Sequence, residues 1–451
     1  MYALIDSNNF FVSCERLFRP DLATKPVVVL SSNDGCAISR SSEAKVLGVK
    51  MGEPVFKLRN RFTVINACHS ERSRGISSYP ITDETLRQAQ GSRKPDLVVF
   101  SANLELYGDI SERIATLLTS ITPHIELYSI DESFLDLSEL DIRDYSQWGN
   151  CIRSMILKNI GIPVSIGIAP SKTLCKTANH WAKKHAEYSG VVAAIQQNRA
   201  WHDILVGSPV NDVWGVGWKL APRLRAEGVF TALDLARMNP RRAQQLMGIH
   251  GRHMVYELNG TRCLPLQPAT KPQKMIGRGR QFGEDTSDFH VIEAAVTTLA
   301  GRAAHELRRE GQLAARAAVI LRTNRLKPGY TRTFDEVRFY TPTADVGIIC
   351  SQLIRTLQRT FRSNLLYHKA DVILYELSLD KTLQTDAFGA VDLTAHARSQ
   401  TLMQAYDAVN SKYGSHTLRP AAELLSQAWK PRSNMLSPRY TSSWSDLPHI
   451  I

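Results

Sequence analysis

The chain has 451 residues, 43% of them hydrophobic, and sets 55 Lys and Arg against 43 Asp and Glu for a formal charge of +12. That length exceeds one ordinary core and predicts two to four globular domains. No stretch of 18 uncharged apolar residues occurs, the start "MYALIDSNNFF" lacks a basic head and cleavage site, and the seven cysteines are scattered. These features argue against a membrane span, a secretory leader, a disulfide framework and structural zinc, and predict a cytoplasmic protein with reduced cysteines. The basic surplus favours a polyanionic partner, above all a nucleic acid.

A first strand, "YALID", runs into a helix starting near "NNFFVSCERLF", and "PVVVL" at 26–30 gives a second strand. "SSEAKVLGV" at 41–49 reads as a helix capped by Ser41 or Ser42, with Ala44, Val46 and Leu47 turned inward. Residues 70–96 are polar, with one short helical stretch near 83–90, and read as a mobile insertion between "FTVINA" and "LVVFSA". A helix over 105–121 leads to "IELYSIDESFLDLS", which reads as two short strands meeting at a tight bend. A helix over 145–160, the strand "VSIGIAP" and the helix "SKTLCKTANHWAKKH" complete an α/β domain ending near residue 195.

Residues 209–262 are mainly helical, with Gly215 and Gly217 in a short connection between two helices. Such a turn either presents backbone N–H groups to a phosphate or simply joins two helices tightly. The run "ATKPQKMIGRGRQFGED" at 269–285 reads as a linker. Between Arg302 and Lys327 stand seven Lys or Arg and two acidic residues around the strand-like "AAVILRT". Arginines on one side of such a strand either contact a sugar-phosphate backbone or form a solvated face. Beyond about 375 the signal weakens into loops, a helix near 394–412 and the polar tail "KPRSNMLSPRYTSSWSDLPHII".

Asp6 follows "YALI" and Asp131 follows "LYSI", so both sit near strand ends that one sheet could bring together. Convergent carboxylates repel unless cations neutralise them, and Mg2+ is the natural partner for oxygen ligands and phosphate substrates. On a regular strand Asp131 and Glu132 point to opposite faces, so convergence needs a bend at 130–132. A paired-metal phosphoryl-transfer site is one reading; strand-end caps and solvated charges are the other.

Taken together, "DSNNFFVSCE", "VVVLSSNDGCAISRSSEAKVLGVKMGEP", "ELYGD", "YSIDESFLDL", "VSIGIAPSKTLCKTANHWAKK" and "VNDVWGVG" resemble a Y-family translesion DNA polymerase. "SNDGCAISR" and "MLSPRYTSSWSDL" narrow the resemblance to the UmuC branch, the catalytic subunits of bacterial DNA polymerase V. The resemblance implies an α/β and α+β multidomain right hand. Its palm is expected at 1–20 and 98–195, its fingers at 21–97 and its thumb, with a helix-hairpin-helix-like motif, at 196–262. A linker at 263–275, a little finger at 276–375 and a C-terminal extension at 376–451 follow.

By the same resemblance Asp6, Asp131 and Glu132 are the catalytic carboxylates and hold two Mg2+ ions, with Mn2+ as an alternative, and Ser7 adds its carbonyl. Phe11 is the steric gate beneath the incoming sugar; Lys45, Lys183, Arg40 and Ser42, the last where many relatives have a tyrosine, bind the nucleotide. Gly215, Gly217, Lys219, Arg316 and Arg322 are expected on DNA. The small side chains of "GCAIS" would leave room for a distorted template base. "QTDAF", Gln384 to Phe388, is the nearest match to a sliding-clamp peptide, although it lacks the leucine expected before the aromatic end.

The partners implied are primer-template DNA, dNTPs, a self-cleaved LexA-like accessory protein of the UmuD′ type and a RecA-type recombinase filament, with no membrane. Activity is then low-fidelity DNA synthesis past lesions in an SOS-type damage response. A palm-like nucleotidyl cyclase and a noncatalytic DNA-binding scaffold are the competing classes. The basic helical hairpin argues against the first and the intact acidic triad against the second.

Overall fold

The computed structural model describes residues 1–66, 94–195, 198–267, 273–380, 393–414 and 417–447. In chain order the first unit contains β1 (Tyr2–Ser7), α1 (Phe10–Leu17), β2 (Val27–Leu30), β3 (Ala37–Arg40), α2 (Ser42–Val46), α3 (Val55–Arg61), β4 (Thr63–Asn66), β5 (Asp96–Ser101), α4 (Leu104–Thr119), β6 (Ile125–Leu127) and β7 (Glu132–Asp136). It continues with α5 (Tyr145–Ile160), β8 (Val164–Ala169), α6 (Lys172–Lys184), β9 (Val191–Ala193), α7 (Arg199–Gly207), α8 (Leu220–Ala226), α9 (Ala232–Arg237), α10 (Pro240–Met247) and α11 (Ile249–Leu258). The second unit holds β10 (Met275–Thr286), α12 (Phe289–Arg309), β11 (Gln312–Thr323), β12 (Arg332–Thr343), α13 (Val346–Thr360), β13 (Tyr367–Leu379) and α14 (Leu393–Tyr413). Backbone contacts divide the chain into Met1–Ala269 with Asn434–Ile451, and Thr270–Ser433.

Unit 1 is built on two sheets. The larger has the order β6-β7-β1-β8-β9, with β1 at its centre and antiparallel to both neighbours. Every residue of β1 is buried, as expected of a central strand covered on both faces. Helices α1, α4 and α5 cover one face, where Val12, Ile110 and Ile156 join Ile5 of β1 in one core. On the other face α6 lies against the sheet, and its Leu174 and Ala178 join Leu4 and Phe134 in a second core shared with the helices α7 to α11. Gly167 on β8 permits this approach, because a Cβ there would stand 2.2 Å from the Cys175 carbonyl oxygen. Caps fix the helix starts: Asn103 accepts from the Leu106 N–H, Asp144 from Ser146 and Gln147, and Ser171 from Leu174.

The smaller sheet, β3-β2-β5-β4, pairs β2 and β4 in parallel with β5 around a core of Val28, Leu30, Leu58, Leu97 and Val99. Here the helix expected over 41–49 is shorter. It ends at Val46, which is 66% exposed, while Val49 beyond it is 1% exposed and takes the inward position. Ser41 is its cap.

Unit 2 is a four-stranded antiparallel sheet, β10-β13-β11-β12, with α12 and α13 packed on one face. Ala317, Val319 and Leu321 of β11 enter that core, which places Arg316 and Arg322 on the opposite face. Much of the expected linker at 269–285 is the strand β10. The region from 376 onward, expected as one extension, is divided: β13 runs to Leu379, α14 belongs to unit 2, and 434–451 belong to unit 1. The polar stretch 70–96 lies outside the described residues except for its last three, and the clamp-like Gln384 and Phe388 lie outside them altogether. The six described cysteines are free, and no described helix is long and apolar enough to cross a membrane.

Candidate active site

The carboxylates meet at one end of the larger sheet. Asp6, near the end of β1, stands directly opposite Glu132 on β7, so their side chains share a face. Asp131 belongs to the bend of residues 129–131 that joins β6 to β7, where Tyr128 and Ser129 both donate their N–H to the Glu132 carbonyl (3.0 and 3.1 Å). Ser129 shapes this bend, with its Oγ accepting from the N–H of Glu132 at 3.1 Å and donating to Asp131 Oδ1 at 2.6 Å. The Ser7 N–H closes the arrangement on the Asp131 carbonyl at 2.9 Å. The bend needed for Asp131 and Glu132 to escape opposite faces is therefore present, and it lies immediately before β7.

Lysines of α6 compensate these charges. Lys183 Nζ stands 2.5 Å from Asp6 Oδ1, and Lys176 Nζ donates to both oxygens of Glu132 at 3.0 and 2.9 Å. Lys172, further back on the same helix, pairs with Glu126. Positions 172, 176 and 183 recur at helical spacing, so one stripe of α6 faces one row of carboxylates. Lys176 Nζ also lies 4.4 Å from the Tyr128 ring centroid and 5.3 Å from that of Trp214, whose faces hold the ammonium in place. Sequence reasoning named Lys183 and missed Lys176, although the i, i+4, i+11 pattern of lysines was visible.

Asp6 is 7% exposed, and burial pushes its carboxyl up to about 7 against the pull of Lys183; the charges of Glu132 and Asp131 push it further in the same direction. The carboxylates thus sense one another. Among the described residues no three His, Cys, Asp or Glu side chains are gathered closely enough to enclose a cation. The donor set nonetheless fits a hard divalent ion: oxygen ligands only, mutually repelling, one of them buried, with Asp6 and Glu132 compensated by movable ammonium groups and Asp131 held by the Ser129 hydroxyl.

A second group of cations borders this end. Burial lowers the Lys45 ammonium, and the charges of Arg40 and Lys183 lower it further, so Lys45 lies within electrostatic reach of both. Lys45 Nζ donates to Asn9 Oδ1 at 2.6 Å and Arg40 Nη1 to the Val49 carbonyl at 2.5 Å. Asn9 itself takes a left-handed conformation (φ 49°) just before α1. Ser42 is exposed at the first position of α2. Phe11 is half-buried, with its ring stacked on that of Tyr107 at 4.6 Å between centroids and 14° between planes. Tyr107 was missed by sequence reasoning.

Gly217 and Lys219 are exposed in the turn before α8, beside Trp218, which is 81% exposed. The turn follows a short 3-10 segment at Val210–Asp212 in place of a full helix. Gly215 has a packing reason for its identity: its φ is +90°, and a Cβ would meet Met254 Cε at 2.5 Å. Arg316 is neutralised by Glu336 and Glu376, both at 2.9 Å, and Arg322 stands 3.4 Å from Asp371. Both arginines thus have carboxylate partners, which the sequence of this strand alone did not indicate.

Residues 5–180 match the model of the impB/mucB/samB family and 273–387 that of the family's C-terminal domain; 400–450 match a domain of unknown function. The chain is 37% identical to protein UmuC of Salmonella typhimurium (strain LT2), with 100% of each chain covered. It is 25% identical to DNA polymerase IV 1 of Bacillus subtilis (strain 168), covering 95% of this chain and 94% of that one. Among solved structures a Y-family DNA polymerase chimera of Dbh and Dpo4 is similar in fold, with a TM-score of 0.61 and 21% identity over 84% of this chain and 99% of that chain.

Proposed function

The chain belongs to the impB/mucB/samB family, in the UmuC branch of the Y-family translesion DNA polymerases, and we propose that its active centre is the sheet end where Asp6, Asp131 and Glu132 meet the lysines of α6. The chain is a DNA-directed DNA polymerase that synthesises past template lesions in the SOS response. The observation that carries the site is the register of Asp6 opposite Glu132, with the Asp131 bend locked to Ser7. In this reading the β6-β7-β1-β8-β9 sheet is the palm, the β3-β2-β5-β4 sheet the fingers, helices α7 to α11 the thumb and the unit 2 sheet the little finger.

Asp6, the Ser7 carbonyl, Asp131 and Glu132 would hold two Mg2+ or Mn2+ ions. Such ions, when bound, supply Lewis-acid activation of the primer 3′-hydroxyl and stabilise the pyrophosphate leaving group. The chain's own groups do the rest. Lys45, Lys183 and Arg40 supply a cationic rim for the triphosphate, with the Ser42 hydroxyl beside it, and Lys183 exchanges its Asp6 partner for phosphate as the nucleotide enters. Lys176 orients the Glu132 carboxylate. The Phe11 ring, backed by Tyr107, occupies the space a 2′-hydroxyl would need and so favours deoxynucleotides. Exposed Gly217 and Lys219 take the duplex backbone through an N–H and an ammonium, independently of sequence. Arg316 and Arg322 join them only if phosphate displaces their carboxylate partners.

The accessory protein, recombinase filament and sliding clamp belong to this reading through the family alone. The test is primer extension across an abasic site with Mg2+ and all four dNTPs, with and without a self-cleaved LexA-like protein and a recombinase filament. The reading predicts bypass with the partners supplied. Extension on an undamaged template that always stops at the abasic site would contradict it.

A further inference from the structure

The strip formed by residues 434–440 connects the two sheets of unit 1. At one end the Asn434 N–H donates to Asp34 Oδ2 at 3.1 Å, and Asp34 Oδ1 accepts the Ser101 hydroxyl at 2.6 Å. Met435 exchanges two hydrogen bonds with Ser101, at 3.0 and 2.7 Å, and its side chain joins the core of the β3-β2-β5-β4 sheet. At the other end Tyr440 stacks on Phe18 of the α1 C-cap, 4.4 Å between centroids and 8° between planes. Between them Ser437 donates to Glu15 Oε1 at 3.1 Å and accepts from Asn103 Nδ2 at 3.0 Å. The same Glu15 oxygen accepts the Tyr107 hydroxyl at 2.6 Å.

A continuous path therefore leads from Ser437 through Glu15 and Tyr107 to the face of Phe11. Tyr107 and Glu15 are 0% exposed and Ser437 is 3% exposed, so water cannot replace a bond broken along it. We propose that residues 434–440 are a positioning strut of the polymerase site: its ends are held on the loop that carries Asp34 and on Phe18, and its middle, through Ser437, fixes the Phe11 ring from beneath, so that the C-terminal segment sets discrimination against ribonucleotides. The inference rests on Phe11 acting as the sugar gate. Its physical basis is that a ring excludes a hydroxyl only if it cannot retreat. Stacking alone lets Tyr107 slide, whereas the buried bond from its hydroxyl to Glu15, itself held by Ser437, fixes its depth. The strip lies within the stretch matched to a domain of unknown function, to which this assigns a role.

Single-nucleotide insertion by the full chain, with its accessory protein and recombinase filament, tests the strut. The quantity read is the ratio of kcat/KM for a dNTP to that for the matching rNTP, in Tyr107→Phe, Ser437→Ala, their double variant and Phe11→Ala. The strut predicts a ratio lowered roughly threefold to tenfold in each single variant and no further in the double, because both cut one path. Phe11→Ala should lower it more. An unchanged ratio in Tyr107→Phe and Ser437→Ala, alongside a collapsed one in Phe11→Ala, overturns the strut and leaves the gate standing. An unchanged ratio in Phe11→Ala overturns the gate and the strut with it. A uniform loss of rate with an intact ratio also counts against the strut, since instability alone would cause it. Tyr107→Phe keeps the packed ring and carries the test should Ser437→Ala fail to fold.

Discussion

Gly167→Ala is the substitution whose consequence follows most directly from the packing. The added Cβ would lie 2.2 Å from the Cys175 carbonyl oxygen, 2.4 Å from the Asn179 N and 3.0 Å from the Asn179 Cα. All three are backbone atoms of α6, so no side-chain rotation relieves the contact. The helix must rise from the sheet by roughly 1 Å to restore ordinary packing. Overpacking of this kind costs about 1–3 kcal/mol, which corresponds to a melting temperature lower by roughly 2–10 °C. The functional effect should be larger. The helix carries Lys176 and Lys183 against Glu132 and Asp6, and a displacement of about 1 Å at reacting groups costs on the order of a hundredfold in rate. Thermal unfolding and single-nucleotide incorporation measured on the same preparation check both. A variant that melts within 1 °C of wild type and incorporates at the wild-type rate would refute the claim that α6 is held in place by the bare backbone at this position.

Three further expectations concern other parts of the molecule. Lys183→Met removes a cation of the triphosphate rim, and kcat/KM for the dNTP should fall about tenfold to a hundredfold with primer-template affinity unchanged in anisotropy titrations. Burial pushes the Glu15 carboxyl up to about 7 from an ordinary 4.5, against the hydrogen bonds from Tyr107 and Ser437. The unfolded chain therefore releases this proton first. The group costs nothing below about pH 4.5, and the penalty grows as pH rises, reaching roughly 3 kcal/mol above pH 7. Glu15→Gln, which cannot titrate, should gain stability relative to wild type between pH 5 and 7.5 in denaturant titrations; parallel profiles would show that the carboxyl is not buried. Gly215→Ala should destabilise the α7–α11 region, because Met254 and a positive φ oppose a Cβ, whereas Gly217→Ala meets open space and should leave stability unchanged. Comparable losses in both variants would refute the distinction.

Most of the described strands and helices of the first 195 residues were legible because apolar runs, helical periodicity and capping residues agreed there, whereas the short elements β3, α3 and β9 were not named. The bend before Glu132 was legible as a geometric necessity, since Asp131 and Glu132 cannot converge on a straight strand. Tertiary relations were not. Nothing local marks Tyr107 as the partner of Phe11, or Glu15 as a buried acid, because each is defined by residues about 90 or more positions away. The carboxylate partners of Arg316 and Arg322 were not legible because they arrive from β12 and β13. The early end of α2 turned on where Val49 could bury itself, which a periodic pattern alone does not reveal. The tail "MLSPRYTSSWSDL" carried a family resemblance but no sign that it packs between the sheets of unit 1.

The most direct measurement is single-turnover incorporation of one dNTP opposite an undamaged base by Asp6→Asn, Asp131→Asn and Glu132→Gln, with primer-template binding followed in parallel. The account predicts that each variant binds DNA as wild type does yet incorporates at least about a thousandfold more slowly, because each replaces a carboxylate of one shared centre with a neutral amide that has lost its charge and one of its two oxygens. Incorporation at the wild-type rate by any one of the three would remove that residue from the centre and contradict the assignment of this sheet end to nucleotidyl transfer.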